Sequence, residues 1–123
     1  MNLEELKQIL FKTWGKDTCY PPQEDEWSPN NPAFGQCYTT AMIVNDYFGG
    51  KILKVRYEDG MGHFWNLIDG EEVDLTKSQF KEGEVIPTPR AYPRNEIGQK
   101  PGYDEINRRY KILKKRVDAF LKI

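Results

Sequence analysis

The spacing of apolar residues predicts an amphipathic helix at each end of the chain. Between residues 2 and 14, leucine, isoleucine and aromatic side chains fall near one stripe, and Gly15 follows. Asn2 precedes Glu5 at the spacing of a capping box, in which each side chain bonds the backbone N–H of the other residue. Between residues 103 and 123, apolar side chains recur at helical spacing, and the basic side chains fall mostly on the opposite face.

The middle of the chain predicts a buried helix followed by a half-exposed strand. Residues 36–48 repeat apolar side chains at helical spacing, and Gly49 and Gly50 follow. Glycine ends helices well because it adopts the left-handed conformation without strain. Residues 51–58 alternate between apolar and charged side chains, which is typical of a strand with one buried and one solvent-facing side.

A tight hairpin is predicted directly after this strand. Residues 63–68 and 71–75 read as two short strands, and Asp69 and Gly70 stand between them. An Asp-Gly pair suits a two-residue hairpin loop because both residues tolerate a positive φ. The two strands are therefore expected to pair with each other in an antiparallel ladder.

Two long stretches predict loops because proline and small polar residues interrupt any regular pattern. They are residues 15–35 and 81–102, and the second contains one candidate strand near residues 85–86. A shorter turn is predicted at residues 59–60. Together the elements predict an α+β fold, with N- and C-terminal helices and a central helix packed on a small antiparallel sheet.

Length and charge narrow the classes of function. A chain of 123 residues is expected to form a single domain over residues 1–123. The 18 basic and 19 acidic residues give a net charge of -1, so neither nucleic acid nor an anionic membrane surface is expected as a partner. Acidic residues near Met1 do not fit a signal peptide, and no apolar run reaches membrane-spanning length. A cytoplasmic location is therefore expected.

Three residues in a suggestive order supply the candidate chemistry. Cys37 stands at the start of the central helix, where backbone N–H groups and the helix dipole favour a thiolate. His63 is the only histidine, and Asp74 lies on the next predicted strand. A thiol nucleophile, a base and a carboxylate that orients the base are the equipment of a cysteine hydrolase or acyltransferase. The competing interpretation is that Cys37 is simply a buried core residue.

The predicted hairpin explains why Asp74 is the expected partner of His63. With a two-residue loop, Ile68 lies opposite Glu71. The same register places Trp65 opposite Asp74, so that His63 and Asp74 become diagonal neighbours on one face of the ladder. A three-residue loop would move Asp74 to the opposite face. The assignment therefore depends on the length of the loop.

Substrate contacts are harder to assign from the sequence. An oxyanion needs a second donor beside the backbone N–H of Cys37, and the side chains of Trp27 and Gln36 are the first candidates, ahead of Asn31. Trp65 completes the predicted substrate-binding set, because with Trp27 it could border a cleft. No metal and no cofactor is expected, since the chain lacks closely paired metal-ligand residues and a phosphate-binding glycine loop.

Several segments of the sequence resemble the small bacterial YunG-like family. They are Trp27-Ser28-Pro29, Asn31-Pro32-x-x-Gly35-Gln36-Cys37, Asp46-Tyr47-Phe48-Gly49-Gly50, His63-x-Trp65-Asn66 and Asp74-Leu75-Thr76-x-x-Gln79-Phe80. The segments around Cys37, His63 and Asp74 are also similar to the active-site segments of papain-like and transglutaminase-like cysteine enzymes. This wider resemblance implies a papain-like core, with nucleophile, base and orienting acid on those three residues. It implies no substrate.

Three hypotheses of different classes remain open at this point. The first is a cysteine hydrolase or acyltransferase with a Cys-His-Asp triad, acting on an amide or acyl substrate as an amidase, peptidase, deamidase or transglutaminase-like enzyme. The alternative is a noncatalytic module that binds a peptide or small ligand on the same fold. The third is a redox role for Cys19 and Cys37, which requires their Cα atoms to lie within about 7 Å.

Overall fold

The computed structural model describes residues 1–57, 62–77 and 88–122. The helices are α1 (Leu3–Thr13), α2 (Cys37–Phe48) and α3 (Asp104–Leu121). The strands are β1 (Lys51–Arg56), β2 (Gly62–Ile68), β3 (Glu71–Val73) and β4 (Arg90–Tyr92). All three predicted helices are present, and each begins and ends within two residues of the predicted bounds. The α+β class is confirmed.

The strands form one antiparallel sheet in the order β3-β2-β1-β4. The edge strand β4 lies in a region predicted to be loop. It is three residues long and is flanked by Pro89 and Pro93, and short edge strands tolerate neighbouring prolines because one of their sides needs no ladder bonds. The candidate strand at 85–86 and the predicted turn at 59–60 lie outside the described residues.

The hairpin between β2 and β3 has the predicted register. Ile68 pairs with Glu71 and Asn66 pairs with Val73, so the loop contains two residues. Asp69 has a φ of 51° and Gly70 a φ of 80°, which are the positive values that a type I′ turn requires. The register prediction is therefore confirmed for the paired residues, and the chain continues from β3 towards Asp74.

The loop before α2 is more regular than predicted. It contains two 3₁₀ turns, Lys16–Thr18 and Pro21–Glu26. The prediction that Pro21 and Pro22 forbid a regular element was wrong, because the first position of a helical turn needs no N–H donor and proline fits it. Arg109 of α3 then fastens this loop to the core.

Arg109 makes hydrogen bonds to both turns of the loop. Its Nη1 donates to the backbone oxygen of Cys19 at 3.0 Å, and its Nη2 donates to Glu24 Oε2 at 2.7 Å. The Nε atom donates to Glu105 Oε2 on α3 at 2.9 Å, which holds the guanidinium in place. A planar group with fixed donors therefore joins α3 to the segment that leads to Cys37.

The helix α2 lies at the centre of the core. Residues 38–44 are all buried. One side of the helix shares a hydrophobic cluster with residues of α1 and α3, and another side shares a cluster with the sheet. Asn66 of β2 also donates to the backbone oxygen of Ala41 at 2.9 Å, which fixes α2 along the strand. The start of α2 is thus held rigidly over β2.

Strand β1 is covered on one side and partly covered on the other, so the prediction of a half-exposed strand was wrong at Ile52. Leu53 and Val55 are buried on one side as expected. Ile52 on the other side is also fully buried, because it packs in the cluster that joins the sheet to α2 and α3. Lys54, on that same side, is partly buried. The side that was expected to face solvent is therefore buried at Ile52, partly buried at Lys54 and exposed at Arg56.

We expect Arg109→Lys to lower the free energy of unfolding by about 1–3 kcal/mol, because one ammonium cannot replace a guanidinium that bonds four separate residues. The matched control is Arg108→Lys at the neighbouring position, where the side chain is exposed and bonds only Glu105 among the described residues. Urea unfolding of both variants checks this, and equal losses in the two would contradict the proposed role of Arg109.

Candidate functional site

Cys37 is the first residue of α2 and is partly exposed. Gly35 precedes it with a φ of 71°, so the chain enters the helix through a left-handed residue. Backbone N–H groups in the first turn of a helix have no acceptor within that helix. The Cys37 sulfur therefore lies at a helix end that presents free donors and the positive end of the dipole.

His63 lies at the start of β2 and is 1% exposed. Its Nε2 atom is 2.7 Å from Asp74 Oδ2, and its ring also forms a hydrogen bond with the side chain of Cys37. Because Nε2 faces Asp74, we assign the contact with Cys37 to Nδ1. Trp65, two positions along the same strand, stacks on the imidazole with ring centroids 5.1 Å apart and an angle of 23°. The ring is thus held on three sides.

Asp74 is itself held in place by the residues that follow β3. Its Oδ1 atom accepts hydrogen bonds from the backbone N–H and the hydroxyl of Thr76, both at 3.0 Å. The nearby carboxylate of Glu72 instead accepts from the indole N–H of Trp65 at 2.8 Å. The hairpin therefore pairs two carboxylates with two rings, and Asp74 is the one that reaches His63.

Two opposing effects set the proton affinity of His63. Burial lowers the pKa of the imidazole. The hydrogen bonds with Asp74 and Cys37 outweigh burial and raise the pKa from the usual 6.5 to about 9. At neutral pH the ring therefore holds its proton between a carboxylate and a sulfur atom. This protonated ring can give its proton to a leaving group and, once it is neutral, accept one again.

Cys37 borders a cavity of about 200 Å³. The lining residues are Tyr20, Gln23, Gly35, Cys37, Tyr38, Lys54, Arg56, Gly62, Phe64, Pro101, Gly102, Tyr103 and Ile106. Four of these thirteen residues are aromatic, and Gln23, Lys54 and Arg56 add polar and basic groups.

Comparison with known proteins bears on this arrangement. A family model described as "YunG protein" matches residues 2–122. The chain belongs to the YunG family. It is 35% identical over 91 residues to the "Uncharacterized protein YunG" of Bacillus subtilis (strain 168), an alignment that covers 72% of this chain and 74% of that protein. No solved structure matches.

The remaining predicted site residues of this YunG-family chain are engaged in bonds within the protein. Trp27 donates its indole N–H to the backbone oxygen of Pro32 at 3.0 Å. Gln36 is fully buried, donates from Nε2 to Gly15 and accepts at Oε1 from Thr18, both at 2.9 Å. Both contacts stabilise the loop that precedes α2. A substrate-binding role for Trp27, Gln36 and Trp65 stays a prediction.

Gln23 was missed by the sequence analysis. It lies in the second 3₁₀ turn and lines the cavity together with Cys37. Its Oε1 atom is 3.3 Å from the position that a Cβ atom on Gly35 would occupy, so its amide lies beside the entry to α2. No sequence signal marks this residue, because only the folding of the loop onto Gly35 brings it there.

The second cysteine has a different environment. Cys19 is fully buried, and both cysteines are free thiols. Burial raises the pKa of the Cys19 thiol to about 11, so at neutral pH it is protonated and a poor nucleophile. Its sulfur lies 2.3 Å from the position of a Cβ on Gly35, so the residue acts as a packing partner of the glycine.

The described residues also bear on whether the chain crosses a membrane and whether it could hold a metal ion. None of the described helices is both long and apolar enough to cross a membrane. Within residues 1–57, 62–77 and 88–122, no group of three or more His, Cys, Asp or Glu side chains is placed to hold a metal ion. The cytoplasmic location stays a prediction.

We expect Gly35→Ala to destabilise the fold by about 2 kcal/mol, because alanine is strained at a positive φ and its Cβ would meet Cys19 Sγ. Cys19→Ala removes the sulfur from that contact. The double variant should therefore lose less stability than the sum of the two single variants. Thermal or urea unfolding of the four proteins measures this coupling, and simple additivity would show that the contact with Cys19 carries no strain.

The raised pKa of His63 predicts a stability that depends on pH. The protonated ring is favoured in the folded state, so its contribution is fully present below pH 6.5 and is lost as the pH rises through about 9. The contribution is at most about 3 kcal/mol. In His63→Gln, which cannot titrate, the decline over this range should be absent. Urea unfolding at several pH values checks it, and parallel curves for the two proteins would contradict the assignment.

Proposed function

We propose that the protein is a cysteine hydrolase or acyltransferase that acts on an amide or a related acyl group. The observation that carries the proposal is the position of the His63 ring, which is hydrogen-bonded to Cys37 on one side and to Asp74 on the other. A nucleophile, a base and a group that orients the base form the arrangement used for covalent catalysis by a thiol. In this proposal the three residues act as a triad.

The first step is attack by the sulfur. His63 takes the proton of the Cys37 thiol, and Asp74 stabilises the resulting imidazolium. The thiolate then forms a bond to the carbonyl carbon of the substrate, and the π electrons of the carbonyl move onto its oxygen. The raised pKa of His63 supports this step, because the hydrogen bonds with Asp74 and Cys37 favour the protonated ring that the transfer produces.

The negative oxygen needs donors that are already in place. The backbone N–H of Cys37 is one, since it lies in the first turn of α2. We assign the second donor to the side-chain amide of Gln23, which lines the same cavity beside Gly35. The bonds that Trp27 and Gln36 make elsewhere support Gln23 over these two candidates.

The second step breaks the bond to the leaving group. The oxygen re-forms the carbonyl, His63 gives its proton to the departing nitrogen, and the C–N bond breaks to leave a thioester on Cys37. Water then attacks the thioester with His63 as base and releases an acid, or an amine attacks and receives the acyl group. Hydrolysis and transfer therefore use the same residues.

The proposal includes a papain-like or transglutaminase-like core. Its support is the chain order, with the nucleophile at a helix start followed by the base and the acid on adjacent antiparallel strands. Asn66 supports it as well, because this residue bonds the helix of the nucleophile to the strand of the base. The reactivity of Cys37 tests the proposed reaction independently of this fold assignment.

We expect p-nitrophenyl acetate to acetylate Cys37 faster in the folded protein than in the urea-unfolded chain. Release of p-nitrophenolate and the mass of the Cys37 peptide measure the reaction. His63→Ala should slow it roughly 100-fold or more, the usual contribution of a general base. Asp74→Asn should also slow it, whereas Asp69→Asn, an exposed turn residue of the same hairpin, should leave the rate unchanged.

Equal acetylation rates in the folded and unfolded chains would overturn the proposal. If circular dichroism shows that the variants fold and His63→Ala reacts as fast as the wild-type protein, His63 is not the base. In either case the noncatalytic binding module becomes the better interpretation of the cavity beside Cys37.

A further inference from the structure

The cavity beside Cys37 is lined by a lysine that forms no ion pair with any carboxylate of residues 1–57, 62–77 or 88–122. Lys54 of β1 lines it and is partly buried. Its Nζ atom lies 5.4 Å from the centroid of the Phe64 ring and donates to the hydroxyl of Tyr103 at 3.5 Å. Within the described part of the chain, no Asp or Glu forms an ion pair with this ammonium.

The position of Lys54 is determined by aromatic packing. The Phe64 ring meets Tyr38 edge to face, with centroids 5.1 Å apart and an angle of 88°. Tyr38 also contacts Tyr103, with centroids 5.6 Å apart. These rings come from β2, α2 and the segment before α3, and Tyr38 is anchored by its hydroxyl, which donates to Asn107 at 2.5 Å. The ammonium is therefore held against a rigid wall.

Three other charged residues lie near Lys54, and the one carboxylate among them, Glu96, forms no ion pair with it. Arg56 lines the same cavity as Lys54. Glu96 and Lys100 line a smaller cavity of about 60 Å³ that shares Lys54, Phe64 and Tyr103, and their charges oppose each other. A cation against aromatic rings is stabilised by about 0.5–2 kcal/mol, which does not substitute for a hydrogen-bonded anion. The cavity that Cys37 borders therefore presents, in its wall, an ammonium that no carboxylate of the described residues pairs with.

We infer that the substrate carries a carboxylate, which Lys54 binds while Cys37 attacks the scissile amide or acyl carbon. This inference rests on the proposed function and adds the class of substrate, namely a small amide derived from an amino acid or a short peptide. The size of the cavity fits that class, since about 200 Å³ lies below the roughly 300–1,000 Å³ of pockets for drug-sized ligands. Lys54 determines substrate specificity by binding the carboxylate, and the aromatic wall contacts the apolar part of the substrate.

Two alkylating reagents of nearly equal size test the inference. Iodoacetate carries a carboxylate, iodoacetamide is neutral, and both displace iodide by attack of the Cys37 sulfur. Lys54→Met should lower the ratio of the iodoacetate rate to the iodoacetamide rate at least about tenfold, the worth of one hydrogen bond to a charged group. The His63 ring acts on Cys37 in the same way in the wild-type protein and in Lys54→Met, so it does not contribute to the difference between their rate ratios.

Two further variants make the result specific. Lys54→Arg keeps the charge and should preserve most of the ratio. Lys51→Met removes an exposed lysine from the same strand and should leave the ratio unchanged. Alkylation at Cys37 is followed by peptide mass, which separates it from Cys19.

An unchanged ratio in Lys54→Met would overturn the inference. If both rates stay as in the wild-type protein, Lys54 has no effect on Cys37 or on the reagent. If both rates fall by the same factor, Lys54 acts on the sulfur and not on the substrate. Failure of the proposed function is separate, because it appears as a wild-type Cys37 that reacts with iodoacetamide no faster than in the unfolded chain.

Discussion

The two-residue turn at Asp69 and Gly70 is the constraint on which the site depends. Side chains alternate between the two faces of a strand, so one additional loop residue would move Asp74 to the opposite face of the ladder. With the observed register, Asp74 reaches His63 and Glu72 reaches Trp65. The stacking of the two rings then makes these pairs mutually dependent. A local choice of backbone conformation thus determines which carboxylate serves the imidazole.

The position of Cys37, in contrast, depends on packing between distant segments and not on strand register. Cys37 must lie at the start of α2, and the preceding chain arrives there through Gly35, packed against Cys19. Gln36 satisfies its amide within the loop, and Arg109 fastens the loop to α3. The position of the sulfur is therefore determined by contacts between segments distant in sequence. Loss of any one of them moves the helix start relative to β2.

Features governed by neighbouring residues could be predicted from the sequence, and features governed by distant ones could not. The cap at Asn2, which accepts from the backbone N–H of Glu5 at 2.8 Å, and the turn at Asp69 follow from local chemistry. The burial of Ile52 depends on which helices cover β1, and the position of Gln23 depends on how its loop folds back. The alternation of side chains within a strand does not reveal which helices cover that strand or how a distant loop folds back onto it.

The alternation of side chains along β2 also places His63 and one wall of the cavity on opposite faces of the strand. His63 and Trp65 lie on one face of the strand, whereas Phe64 belongs to the cluster with Tyr38 on the other. Adjacent residues therefore have different tasks, since one face orients the imidazole and the other supports Lys54 at the wall of the cavity. The wall at Phe64 and Lys54 and the contacts of His63 with Asp74 and Trp65 lie on opposite faces of β2, and Cys37 connects them because it borders the cavity and bonds the His63 ring. In the proposed reaction, Cys37 is therefore the residue at which the two faces act together.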